Sequence, residues 1–231
     1  MGAVTRRNSP APLAGPQRGC SGPLFESQAQ RARWICSDSV PCVAHSGLAP
    51  DLGPPYRMNP DLLIGRLAVF AQALKQLLSG LSNQDSRWRP PDGGWSVLEI
   101  LGHLADEDTE DFRPRLEAVL EDPDRAWKAI DPRAAAEEKG YNEGELARML
   151  QRFEMERARS VAWLKGLVSP RWAHAHPHKE FGELKAGDML ASWAAHDALH
   201  LRQLSKRMYQ LAVRDAPGFS VDYAGPWDAK P

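Results

Sequence analysis

Trp95-Ser96-Val97-Leu98-Glu99-Ile100-Leu101-Gly102-His103-Leu104-Ala105 is the stretch that decides the fold class. Ser96 and Glu99 stand at the S-x-x-E spacing of a capping box, in which each side chain satisfies a backbone amide of a helix's first turn. Trp95 and Ile100 occupy the hydrophobic-staple positions around it. The amphipathic run that follows predicts a helix reaching about Glu121. Pro114 should kink that helix, because proline removes one backbone donor and crowds the preceding turn. Gly102 inside it costs roughly 1 kcal/mol against alanine. Close approach of another helix or of a ligand would explain the glycine.

Reading outward, the same period recurs. Asn59 caps a segment that begins with Pro60 and runs to about Leu81; Leu63, Leu67, Phe70, Leu74, Leu77 and Leu81 form one apolar stripe. Residues 87–94 form a loop, and residues 122–140 are a long connection holding Pro123 and Pro132. Asn142 and Glu145 repeat the cap signature, with Tyr141 and Leu146 as staple, and start a third helix that ends near Leu167. A loop over residues 170–185 holds His174, His176 and His178, and a fourth helix spans about Gly187 to Leu211. With four helices and no strand pattern, the expectation is an all-α four-helix bundle over residues 58–213, followed by a tail at 214–231.

Residues 1–57 differ from the rest. They hold eight of the nineteen prolines, all three cysteines (Cys20, Cys36, Cys42) and no lysine, with a local charge of +3. They read as a disordered extension, or as sequence upstream of a start at Met58. They lack the apolar core of a secretory signal. With no cysteine after residue 57 the bundle uses neither disulfides nor a thiol nucleophile of its own, which fits a reducing, cytoplasmic setting. A net charge of −1 gives no electrostatic argument for nucleic acid or an anionic membrane. No apolar run approaches the roughly 20 residues of a membrane helix.

The histidines carry the chemistry. His196 and His200, four apart on the fourth helix, share one face and can reach a common point. Their stripe includes Met189, Trp193 and Leu204, so it should face the core. Buried imidazoles need partners for their nitrogens, and a zinc, nickel or iron ion supplies one. His103 is the third candidate. Three imidazoles from two helices would leave coordination positions open for water or substrate. The His174-x-His176-x-His178 run is a second candidate set, weakened by its place on a loop. Glu99, Asp106, Glu107 and Glu110 lie within reach of His103 along its helix; Glu107 and Glu99 are candidates for a general base or for an acceptor behind a ligating imidazole.

Gly94-Trp95-Ser96 leading into Gly102-His103-Leu104-Ala105-Asp106, then His178-Lys179-Glu180-Phe181-Gly182-Glu183-Leu184, then His196-Asp197-Ala198-Leu199-His200-Leu201-Arg202-Gln203-Leu204 together resemble the DinB family. These metal-binding bundles include YfiT-like proteins regarded as hydrolases and low-molecular-weight-thiol-dependent transferases. The resemblance covers about residues 59–210. It implies an up-down-down-up four-helix bundle that is frequently a homodimer. It implies His103, His196 and His200 as ligands to nickel, zinc or a similar ion. The activity it implies is hydrolysis of a small molecule or transfer to a small thiol; the alternative is a non-catalytic metal-binding or dimerising bundle. A thiol would have to be external, such as mycothiol or bacillithiol. Arg202 and Lys206, one turn apart beyond His200, are candidates to hold its carboxylates.

Overall fold

A computed structural model describes residues 58–228; the expectations for residues 1–57 lie outside the described residues. The elements are α1 (Pro60–Leu78), α2 (Asn83–Arg87), α3 (Val97–Asp106), a π-helical segment (Glu107–Asp111), α4 (Phe112–Glu121), α5 (Pro132–Glu138), α6 (Leu146–Gly166), β1 (Ala175–His178), β2 (Gly182–Lys185) and α7 (Ala186–Arg214). Short 3-10 turns lie at Tyr141–Glu143 and Asp222–Ala224. No described helix is long and apolar enough to cross a membrane.

Four rods form the bundle: α1, the nearly continuous α3–α4, α6 and α7. Both α1 and α3 pack on α6 and α7, so α1 lies diagonal to α3–α4, and α6 diagonal to α7. Side-chain pairs set the directions. Asp106 meets Arg152 and Asp108 meets Arg157, so α3–α4 runs parallel to α6. The Trp95 carbonyl meets Arg207 and Phe112 stacks on Trp193, so α7 runs antiparallel to α3–α4. Lys75 meets Glu154 and the Leu67 carbonyl meets Arg157, so α1 runs antiparallel to α6. The order is up-down-down-up.

Two apolar clusters fill the interior. One surrounds Phe70, Leu98, Leu101, Leu104, Phe153 and Leu204, the other Leu67, Leu116, Val161, Leu164 and Trp193. A buried polar layer holds Glu107, Asp108 and Asp111 on the α3–α4 rod, Arg157 on α6, and Asp197 and His200 on α7, with Arg157 paired to Asp108 and Asp197. Burying polar groups is costly unless they are bonded.

The Ser96–Glu99 capping box forms with both bonds, Ser96 N to Glu99 Oε2 at 2.8 Å and Glu99 N to Ser96 Oγ at 3.2 Å. Asn59 caps α1 by accepting from Leu62 N at 3.2 Å. The distortion expected at Pro114 lies just ahead of it as the π segment, where Phe112 N bonds the Glu107 carbonyl. Proline has no N–H to offer the Glu110 carbonyl and its ring crowds that oxygen, which disfavours a regular α-turn there.

Several local expectations are corrected. The first helix ends at Leu78 rather than Leu81, and its buried stripe is Ile64, Leu67, Phe70, Ala71, Leu74 and Leu78, with Leu77 exposed. The connection at 122–140 contains α5, started by Asp131, whose Oδ1 accepts from Arg133 N and Ala134 N. Asn142 does not cap α6, because Gly140, with φ 60°, turns residues 141–143 into a 3-10 helix. The α6 cap comes from another element: Asn83 Oδ1 accepts from Leu146 N at 2.9 Å. The histidine loop is an antiparallel hairpin pairing Ala175 with Lys185 and His178 with Gly182. After α7 the chain folds back, with Tyr209 and Trp227 ring centroids 5.8 Å apart.

Gly102 has a structural cause. A Cβ at this position would lie 2.4 Å from two atoms of the Tyr141 ring. That ring is buried, and its hydroxyl donates to Asp106, which also accepts from Lys139 Nζ at 2.7 Å and from Arg152 Nη2 at 2.6 Å.

Candidate metal centre

His103 leaves the buried face of α3, while His196 and His200 leave α7 one turn apart. Because the two rods are antiparallel neighbours, the three imidazoles meet. One nitrogen from each lies within 4.8 Å of the others, and this is the metal-competent group found among the described residues. His200 is fully buried, His103 is nearly so and His196 is half-buried. The His196 and His200 Nε2 atoms are 3.1 Å apart.

Hydrogen bonds fix which nitrogen points inward. His200 Nδ1 lies 2.8 Å from Gln203 Oε1. A carboxamide oxygen only accepts, so the proton sits on Nδ1 and the Nε2 lone pair faces His196. Behind His103, Glu107 Oε1 stands 3.3 Å from Nδ1 and leaves Nε2 to the centre. Acceptors behind ligating imidazoles orient the ring and raise its basicity. His196 Nδ1 is buried without a partner. The rings of Trp95 beside His103 (5.1 Å) and Phe112 beside His196 (5.3 Å), the latter stacked on buried Trp193, wall the site with apolar surface.

Burial dominates the electrostatics. It holds His103 and His196 well below the ordinary imidazole range, with the neighbouring His200 adding to the effect. Burial likewise lowers His200 to about 4, against a smaller opposing effect of Gln203. All three are therefore neutral at pH 7, the form that binds metals. Glu107 is raised well above the carboxylate range by burial and then by Asp111, and burial raises Asp111 too although Arg115 opposes it.

These shifts make a prediction for the metal-free protein. As pH falls below 6.5 the unfolded chain takes up a proton at His200 that the folded chain refuses until about 4, so stability drops across that window. The raised carboxylates Glu107, Asp108, Asp111 and Asp197 act with the opposite sign. A His200→Asn variant removes this proton uptake and also relieves His103 and His196 of the influence of His200. Urea unfolding in the presence of a chelator should show it gaining about 3 kcal/mol relative to wild type between pH 7 and pH 4. A difference that stays constant with pH would refute the buried neutral His200.

The other candidates fall elsewhere. Glu99 is buried but committed to the cap and to Arg89, at 3.0 and 2.6 Å. Arg202 is exposed, and Lys206 lies 3.5 Å from Asp92. His176 stacks on Trp127 at 4.0 Å, with its Nδ1 2.7 Å from the Pro123 carbonyl. His178 Nδ1 accepts from Glu180 N and Phe181 N. These two histidines hold the hairpin and its neighbouring connection together. Gln203 was missed, although its place three residues after His200, on the same helix face, could have shown it.

A sequence profile described as the DinB superfamily matches residues 66–204. The chain belongs to the DinB superfamily. Among solved structures, YfiT from Bacillus subtilis, described as a probable metal-dependent hydrolase with an unusual four-helix bundle topology, aligns with a TM-score of 0.60 at 20% identity, covering 69% of this chain and 93% of that one. At that identity the likeness is one of fold. No curated protein matches the chain. The match of this DinB chain starts within α1 and ends four residues after His200, so it takes in all three imidazoles.

Proposed function

We propose that this DinB-superfamily protein is a metal-dependent hydrolase of a small molecule, with His103, His196 and His200 holding one divalent ion and Glu107 serving as the general base. The convergence of three neutral imidazole nitrogens within 4.8 Å carries the reading. The donor set fits such an ion. His200 is locked with Nδ1 protonated and Nε2 facing inward, and His103 has an acceptor behind it. Imidazole suits zinc, nickel and iron alike. A bound ion of this kind would polarise a substrate oxygen and acidify a bound water.

The chain's own residues do the rest. Glu107, buried 3.3 Å from His103 Nδ1 and raised well above the carboxylate range by burial, is the carboxylate placed to exchange a proton beside the centre. Trp95, Phe112 and Trp193 exclude bulk water, which strengthens every electrostatic contact inside. The probable metal-dependent hydrolase assigned to YfiT agrees with this reading. The small-thiol transferase reading has less support: Arg202 is exposed and Lys206 is beside Asp92.

The test compares the metal-loaded wild type and Glu107→Gln against a panel of activated esters and small amides. Turnover should fall about 10²–10⁴-fold in the variant, with metal content unchanged. Stoichiometric metal without hydrolysis of any panel member would favour the non-catalytic metal-binding bundle. Equal turnover in the variant would remove Glu107 from the mechanism.

A further inference from the structure

Arg157, in the polar layer, touches all four rods. It comes from α6, which carries none of the three imidazoles. Its side chain is 1% exposed. Nε donates to both Asp108 oxygens at 3.1 and 3.0 Å on the π segment. Nη2 donates to Asp197 Oδ1 at 2.9 Å on α7, and Nη1 donates to Asp197 Oδ2. Nη1 also reaches the Leu67 carbonyl of α1 at 3.3 Å. The faces of Phe153, Phe70 and Trp193 lie 5.0, 5.8 and 5.7 Å from the guanidinium carbon.

The two carboxylates it holds have telling neighbours in the chain. Asp108 follows Glu107, and Asp197 follows His196. We propose that Arg157 is a positioning residue for the metal centre: it fixes the axial register and rotation of the α3–α4 rod against α7, and so holds His103 and Glu107 opposite His196 and His200. This rests on the reading that the three histidines bind an ion.

The physical case is geometric. A ligand on a helix moves about 1.5 Å for each residue of axial slip, more than a coordination shell of ±0.2 Å tolerance accepts. Apolar packing alone specifies register weakly, whereas a planar guanidinium bound by two carboxylates from opposite sides admits one arrangement. The π segment makes such a device necessary. A π turn interrupts the regular ladder at Glu107–Asp111, so the direction of Glu107 and Asp108 is not set by helix geometry alone. Lysine could not replace this function, because its ammonium is a point charge without a planar fork.

The experiment titrates cobalt(II) into metal-free wild type, Arg157→Lys, Asp197→Asn and Asp108→Asn, following visible absorption and affinity, with circular dichroism and thermal melts alongside. Leu78→Ala is the stability control. Leu78 is fully buried eleven residues along α1 from Leu67, about 16 Å away. The wild type should bind one equivalent; failure to bind would overturn the metal reading and the positioning role with it. If it binds, Arg157→Lys and Asp197→Asn should weaken affinity about 10–100-fold and change the cobalt spectrum while keeping helix content. Leu78→Ala should melt earlier with unchanged affinity and spectrum. Wild-type affinity and spectrum in the clamp variants would overturn the positioning role and leave the metal reading intact. The role is equally overturned if Leu78→Ala loses affinity in proportion to its stability, or if all three clamp variants fail to fold, since Arg157 would then be an element of stability alone.

Discussion

Purified His200→Ala protein should contain less than about a tenth of the divalent metal of the wild type, for which elemental analysis should give about one ion per chain. Under the proposed function, His200 is the ligand whose loss the site would tolerate least. It is fully buried, it stands 3.1 Å from His196 through the inward-facing nitrogen, and its other nitrogen is locked by Gln203. Without it two imidazoles remain, on different helices. Gln203→Ala provides the internal scale. Removing an acceptor behind a ligand costs about 10–100-fold in affinity, so Gln203→Ala should bind more weakly than wild type and more tightly than His200→Ala. His200→Ala also leaves the buried Gln203 oxygen without its donor, at about 1–3 kcal/mol. The melting temperature of the metal-free form should therefore drop by several degrees, with helix content retained. Metal content in His200→Ala equal to that of wild type would end the three-histidine reading.

The bundle and its three histidines were legible because they rest on local signals. The caps at Asn59 and at Ser96–Glu99 and the i, i+4 spacing of His196 and His200 are properties of single helices, and the fold kept them. What was not legible depends on contacts between distant elements. Asn142 carries the right residue type for a cap, yet the turn at Gly140 removes it, and Asn83, 63 residues earlier, caps Leu146 instead. Glu99 and Glu107 both flank His103 in sequence. The cap claims Glu99, while the i, i+4 spacing brings Glu107 to His103. Arg157 looked like an ordinary arginine of an amphipathic helix, and its carboxylate partners lie 49 and 40 residues away. Two short strands hid in the histidine loop because four residues each, with a proline in one, are too few for periodicity to register.

Gly102 is the position where the fold and the centre are joined most tightly, and its substitution tests both. Gly102→Ala would ordinarily stabilise a helix by roughly 1 kcal/mol. Here the new methyl would sit 2.4 Å from the buried Tyr141 ring, which cannot move without giving up its bond to Asp106. Overpacking costs about 1–3 kcal/mol, and loss of a hydrogen bond to a charged group about 1.5–3 kcal/mol. The net expectation is a destabilisation of about 3 kcal/mol, seen as a melting temperature lower by roughly 10 °C. Gly102→Val should be worse, since it adds two further methyl-sized atoms and loses the propensity gain. The cause can be separated from a general intolerance of glycine replacement. Tyr141→Ala removes the obstructing ring, so Gly102→Ala on that background should cost nothing or stabilise, a non-additivity of several kcal/mol between residues in contact. Additive losses would place the strain elsewhere. Because His103 is the next residue on α3, a tilt of the helix that relieves the clash also displaces an imidazole. Gly102→Ala should then bind metal more weakly than its lost stability accounts for, while Gly102→Ala with Tyr141→Ala recovers the affinity.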